Sequence, residues 1–176
     1  YLIFNEGYSA TEGALVRAEL CDEAIRLGRV LAELMPDEPE ALGLLTLMLL
    51  HHSRRNARVD ASGELVLLED QDRSRWDHDM IDEGLALLER VNGMQALGPY
   101  QLQASVAAVH ARAPRPEDTD WPEIATLYRV LRLMSPSPVI ELNWAVAVAM
   151  ADGSATSAWR TRRWLTRSPS RSSIHI

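Results

Sequence analysis

The chain of 176 residues contains no lysine; all 18 of its basic residues are arginine. Together with abundant alanine and leucine, this reads as the codon bias of a GC-rich genome and carries no mechanism. Cysteine is nearly missing as well. A lone Cys21 excludes an internal disulfide framework and fits a reducing cytoplasm. Its place in a helical pattern marks it as a structural thiol rather than a reactive one. No apolar run reaches the ~18 residues that a membrane span needs, and the longest, residues 42–50, is broken by Gly43 and Thr46. GxSxG, the P-loop, GxGxxG, HExxH and cysteine pairs are all missing, so no nucleophile elbow, phosphate cradle or zinc cage is signalled. The chain opens on Tyr1 with no initiator methionine and no basic-then-apolar leader. The expectation is a processed product or a piece of a longer protein.

What is present is an ordinary globular balance, 47% hydrophobic and 24% charged. The length suffices to bury roughly 70% of the unfolded surface. Charge is unevenly placed. Residues 154–176 hold Arg160, Arg162, Arg163, Arg167 and Arg171 and no acid, which leaves 13 arginines against 25 acids in residues 1–153, a net charge of −12. Such a body repels phosphate backbones, so it is not expected to bind nucleic acid by itself.

The periodicity is helical almost throughout. From Thr11 to Met35 the residues Leu15, Val16, Leu20, Ala24, Ile25, Leu27, Val30, Leu31 and Leu34 form one broad apolar stripe, and Ser9 and Glu12 have capping-box spacing. Pro36 stops this helix. Asp37 with Glu40 three residues on, and Pro39 in the first turn, predict a second helix from about Glu38 to Arg55. It is apolar on nearly every face, as helices buried between others are. Residues 56–70 break the pattern with an Asp60-Ala61-Ser62-Gly63 turn and the β-prone Leu65 to Leu68, so a short hairpin or ordered loop is expected. Helices follow from about Asp77 to Asn92-Gly93, from Pro99 to Ala113, from Asp120 to Met134, and from Pro138 to Asp152-Gly153. RVLAELMPDEP at 29–39 is echoed by RVLRLMSPSP at 129–138. Helix, tight turn, helix, used twice, is the unit of stacked antiparallel hairpins of tetratricopeptide (TPR) type. The expected architecture is all-α, with residues 1–153 as one helical domain. Residues 154–176 form an Arg/Ser-rich tail with no amphipathic period, expected to be mobile. It is either a basic aromatic arm or, as we favour, out-of-frame translation of GC-rich DNA.

The densest cluster of chemical groups is LEDQDRSRWDHD at 68–79. Asp70, Asp72, Asp77, His78 and Asp79, with His51 and His52, are conceivable metal ligands, but no two have the spacing of a known cage. Acids in the first turn of a helix are expected from its dipole, and Arg54, Arg55, Arg58, Arg73 and Arg75 supply charge to pair with them. A capping and ion-pair role is therefore expected. His110, at the end of an apolar helix, reads as a partly buried surface histidine. No acid/base pair in unlike environments emerges, and neither catalysis nor a cofactor is expected.

Four segments, in order, carry a resemblance: YLIFNEGYSAT at 1–11, LLHHSRRNARVDASGELVLLEDQDRSRWD at 49–77, GPYQLQASVAAVHA at 98–111 and TDWPEIATLYRVL at 119–131. Together they resemble the C-terminal helical extension of extracytoplasmic-function sigma factors, a branch of the sigma-70 family of RNA polymerase subunits, over about residues 1–153. The resemblance implies a TPR-like regulatory module of transcription initiation. It also implies that sigma regions two and four, which read DNA, lie upstream. The positions matching the signature are Asn5, Glu6, Gly7, Tyr8, Arg54, Arg55, Arg58, Asp70, Gln71, Asp72, Arg73, Trp76, Asp77, Tyr100 and Gln101. In this reading Trp76 anchors the loop in the core, and the Arg/Asp set fastens it to the second helix. Two departures stand out. Trp144 follows Leu142-Asn143 where an arginine is expected, and after Gly153 the family's further helices are replaced by the Arg/Ser tail. The last helix then lacks its cover, which favours self-association.

The expected function is protein contact, with partners in sigma regions two and four and in RNA polymerase. DNA would be met only through those upstream regions, no membrane is involved, and the setting is cytoplasmic. Two alternatives stay open: a TPR-type scaffold unrelated to transcription, and a metal- or carboxylate-dependent hydrolase centred on Asp70, Asp72, Asp77 and His78.

Overall fold

Prolines and short polar side chains set where the helices begin. Pro39, Pro99, Pro122 and Pro138 each stand in a first turn, where the missing amide donor costs nothing. The Asp77 carboxylate accepts from the Met80 amide at 3.1 Å and Asp120 from Glu123 at 2.9 Å, while the Ser137 hydroxyl accepts from Ile140 at 3.2 Å. The computed structural model describes residues 1–8, 14–94 and 96–153. They form α1 (Leu2–Tyr8), α2 (Ala14–Leu34), α3 (Pro39–His52), α4 (His78–Asn92), α5 (Pro99–Arg112), α6 (Trp121–Met134) and α7 (Pro138–Ala151). Single 3-10 turns lie at Arg55–Ala57, Leu68–Asp70, Arg73–Arg75 and Pro116–Asp118. The fold is all-α. The expected hairpin is reduced to one antiparallel bridge, Val59 to Leu65, among the described residues. The Ser9/Glu12 capping box and the 154–176 tail lie outside the described residues.

Packing runs outward from α3, which touches α2, α4 and α5; α1 lies on α2, α5 on α6, and α6 on α7. Ten of the fourteen residues of α3 are buried. One side of it sets Leu47 and Leu50 against Trp76, Ile81, Leu88, Ala104 and Ala108. Its other side sets Leu45, Met48 and Leu49 against Phe4, Cys21, Ala24 and Ile25. Each fully buried leucine contributes about 2 kcal/mol, so this helix dominates the hydrophobic stabilisation. Helices α3 and α5 run in the same direction, because the start of α3 meets the start of α5 at Gly43 and Gln101. Second helices of successive hairpins are arranged this way in the stack expected from the sequence.

Four differences from the sequence reading have physical causes. Helix α1 was not foreseen, because seven residues are too few to show a period. In α2 the buried stripe is narrow, Cys21, Ala24, Ile25 and Gly28. Leu27, Val30, Leu31 and Leu34 of the broad predicted stripe stay exposed at 37% or more. Helix α3 stops at His52 rather than Arg55, and Arg55 begins a 3-10 turn. Glu38, not Asp37, caps α3, and Glu40 turns away to another helix. Among the described residues α7 is thinly covered, as expected: it buries only Ala147, while Val139 and Leu142 are 64% and 52% exposed.

The Gly43 contact sets a test. A β-carbon there would stand 2.8 Å from the Gln101 nitrogen and 3.0 Å from its Cα, both backbone atoms with no freedom to swing aside. Alanine gains up to about 1 kcal/mol of helix propensity, but the clash outweighs it. Gly43→Ala is expected to lose about 1–3 kcal/mol net. The loss is read as a lower urea midpoint at unchanged slope; an equal or higher midpoint refutes the close α3–α5 approach.

Candidate functional site

The segment after α3 leaves and returns through one residue, Ser53. The Ser53 amide donates to the Leu49 carbonyl at 2.8 Å, and the Ser53 carbonyl accepts the Asp77 amide at 2.8 Å. Within the loop, one Asp60 oxygen accepts from the Ser62 amide, the Ser62 hydroxyl and the Glu64 amide. Gly63 completes that turn at φ +87°, a conformation that glycine adopts without strain. The Gln71 amide donates to the Val66 carbonyl at 3.1 Å. Trp76 is 4% exposed and packs with Leu47 and Leu50, anchoring the loop in the core as expected.

The expected ion-pair clasp is different in kind. Asp72 accepts from the Ser74 amide at 3.0 Å and its hydroxyl at 2.6 Å, and Asp77 caps α4. Both carboxylates serve backbone amides where arginine partners were expected. The Ser74 bonds hold the Asp72 carboxyl below its usual range. The arginines go to rings and carbonyls. Arg58 lies 3.5 Å above the Tyr8 ring centroid and donates to the Tyr8 carbonyl at 2.8 Å. Arg54 donates to the Tyr8 hydroxyl at 2.9 Å. These two therefore fasten α1 to the end of α3, not the loop. Arg73 stacks on Trp76 and donates at 2.6 Å to both the His110 and Ala113 carbonyls at the C-terminal end of α5. Arg55 lies 3.6 Å from Asp22, which also accepts from His52 at 2.9 Å.

The N-terminal end of α5 carries the opposite charge. Glu40, from α3, accepts from the Tyr100 amide at 3.0 Å and the Gln101 amide at 3.1 Å. One helix is thus capped by a carboxylate at its positive end and a guanidinium at its negative end, both from other elements. A β-carbon at Gly98 would overlap the Glu40 carboxyl, so any other residue there must displace this cap. The Gln101 side chain donates to Asn92 at 3.0 Å, tying α5 to the end of α4. Among the remaining signature positions, the Asn5 amide donates to the Tyr1 carbonyl at 2.9 Å, Glu6 is exposed and Gly7 lies within α1. Asp70 belongs to the 3-10 turn at Leu68–Asp70.

Sequence reasoning gave Glu40 a local capping role and His51 a conceivable place among metal ligands, and it missed Phe4 and Asp22, for which periodicity offered no signal. Phe4 is 1% exposed, and its carbonyl accepts the Cys21 thiol at 3.6 Å. Burial, then Asp22, pushes that thiol's pKa up, in keeping with a structural cysteine. Among the described residues no three His, Cys, Asp or Glu side chains converge to hold a metal ion, and no helix is long and apolar enough to cross a membrane.

Two histidines sit in the field of the arginines. His51, edge-on to Tyr8, is lowered to about 3 by burial and then by Arg54 and Arg58. His110, edge-on to Trp121, is lowered to about 4 by burial and then by Arg54 and Arg73. The four segments singled out in the sequence therefore meet: Tyr8 with Arg54 and Arg58, Arg73 with His110, and His110 with Trp121.

Two measurements follow from this geometry. In a double-mutant cycle, Gly98→Ala is expected to cost about 1–2 kcal/mol by displacing the Glu40 cap, and clearly less in a Glu40→Ala background. Additive losses would disprove the cap. The histidines set a pH dependence. Folding lowers their pKa values, so the neutral forms stabilise the fold fully above about 6.5. That contribution is lost as pH falls from there through about 4 for His110 and about 3 for His51. The urea midpoint should drop steeply below pH 6, and less steeply in His51→Asn and His110→Asn variants; parallel profiles would show that neither histidine is held neutral.

A model of a family of unknown function, DUF6596, matches residues 1–92. An uncharacterized protein of Rhizobium meliloti (strain 1021) is 57% identical over 154 residues, which cover 87% of this chain. The chain spans 36% of the length of that curated relative. No solved structure matches it.

Proposed function

We propose that this chain, which belongs to the DUF6596 family of unknown function, is a regulatory contact module of a bacterial sigma factor. In this reading it acts on transcription initiation through protein–protein contact with RNA polymerase and with sigma regions two and four of the same polypeptide. DNA is met only by those regions, in the cytoplasm.

The observation that carries the reading is the convergence of the four segments on which the sigma-factor resemblance rests. Three of them clasp one another through Tyr8, Arg54, Arg58, Arg73 and the His110 carbonyl, though they lie up to a hundred residues apart, and the fourth joins them through the Trp121 ring against His110. A pattern shared for local reasons, such as helix capping, would have no need to meet in space. Two further features support contact rather than chemistry. Asp72 and Asp77 are committed to backbone amides, and a groove of about 320 Å³ between α2 and α4 has Leu42 and Leu45 in its lining and the Arg29–Glu83 pair across it. The relative's greater length leaves room for DNA-reading regions.

The test is retention of the purified chain on immobilised RNA polymerase core and, separately, on the sigma regions two and four encoded with it. Retention on at least one is expected. It should weaken at least threefold in the loop variant Glu69→Ala/Arg75→Ala, whose side chains are exposed. Wild-type chain that passes through both columns refutes the reading; equal retention of the variant moves the contact off the loop.

A further inference from the structure

Among the described residues, cations gather beside the end of α3 with no carboxylate bonded to them. Arg54 and Arg58 leave the end of α3 and Arg73 leaves the loop, all half-buried. Each has five N–H donors, of which the described contacts use few. Arg54 gives one to the Tyr8 hydroxyl, Arg58 one to the Tyr8 carbonyl, and Arg73 two, both from Nη1, to the His110 and Ala113 carbonyls. The Arg73 Nε is buried with no hydrogen-bond partner. The acids that act on Arg73, Glu117 and Asp118, are themselves held by Arg115 at 3.5 and 2.8 Å. His51 and His110 stand beside the arginines and add donors or acceptors but no negative charge. The Tyr8 and Trp76 rings lie under two of the guanidiniums, which orients their forks.

We propose that Arg54, Arg58 and Arg73 form an acceptor surface for carboxylates, taking an acidic segment of a partner protein. This rests on the reading of the domain as a contact module and names the chemistry of its partner. Planar guanidinium forks match carboxylates bidentately, and arginine beside tyrosine and tryptophan is the composition of interface hot spots. A long polyanion such as nucleic acid is disfavoured by the net −12 of residues 1–153. A short acidic segment meets only the local cations.

The histidines report occupancy. A carboxylate placed against Arg54 offsets the positive field at His51 and His110 and so changes the surroundings of both rings. The experiment follows the histidine ring protons by NMR on the whole chain at low salt, with a capped hexaglutamate peptide as probe. Inorganic phosphate and a single-stranded DNA hexamer serve as comparisons. At pH 7, where its carboxylates are ionised, the peptide should bind and shift the ring-proton resonances of both histidines. Arg54→Gln should weaken binding tenfold or more and abolish the shift, whereas Arg29→Gln, paired to Glu83 elsewhere, should change neither. A variant with all five tail arginines replaced by glutamine keeps the shift if the site is the one named. Overturning results are no peptide binding, equal or tighter binding of phosphate or DNA, or a shift lost with the tail arginines and kept in Arg54→Gln. Peptide binding without polymerase retention would leave the site and remove the sigma-factor reading; retention without peptide binding would do the reverse.

Discussion

Everything else in the molecule is hung on the burial of α3. A helix with apolar side chains on nearly every face has no stable place in water, so it must be enclosed by at least three neighbours, and α2, α4 and α5 enclose it. Enclosure from three sides demands close approach, and a glycine lies at each contact. Gly28 of α2 faces Leu45 and Met48, Gly84 of α4 faces Leu49 and Leu50, and Gly43 of α3 itself faces the backbone of α5. Each interior glycine costs about 1 kcal/mol in helix propensity. That loss is offset by the dispersion and area terms of leucines brought into full contact. The same close approach brings the two ends of α5 within reach of Glu40 and Arg73. The polar contacts therefore depend on the apolar ones.

Charge is used on backbone rather than on charge. The surface pairs Arg26–Glu23 and Arg115–Asp118 are local and exposed, and pairs of that kind contribute little. Alongside the Arg29–Glu83 and His52–Asp22 pairs, charged groups join distant parts of the chain through the bonds of Glu40 to amides, Arg73 to carbonyls, and Arg54 and Arg58 to Tyr8. Charged groups on helix ends act with the dipole and satisfy groups that the helix leaves unpaired. The loop at 53–77 is thus fixed at its ends by backbone, just before its return by Trp76, and at its edge by Arg73.

Much of this was legible in the residues, and the division is physical. Helix boundaries are local, set by a proline that lacks a donor or a short side chain that caps, and α4 to α7 fall within a residue or two of their expected limits. Burial of α3 was legible because it has no polar face to expose. Partner choice was not, because it depends on which helix ends the packing brings together. Glu40 looked like half of a capping box and instead serves a helix sixty residues on. Arg54 and Arg58 looked like partners for Asp70 to Asp77 and instead hold Tyr8, whose helix is too short to announce itself. The stripe on α2 was overread, since apolar spacing shows which side chains share a face and says nothing of how wide the covering neighbour is.

The neutral histidines and the carboxylate surface have one origin. Burial disfavours the charged form of His51 and His110, and the arginines around them disfavour it further. A potential positive enough to act on two imidazoles lies in a body of net charge −12, so it is short-ranged and local. Salt screens such a field within about a Debye length of 10 Å at 0.1 M, except where aromatic rings and helix ends keep water away. Tyr8, Trp76 and the C-terminal end of α5 provide that shelter. The guanidiniums are then held in place before any partner arrives, and less side-chain entropy is lost on binding than by a mobile surface arginine. A site built this way selects by shape and distance between two carboxylates, because the acidic surroundings penalise every additional negative charge beyond the few that the forks can reach.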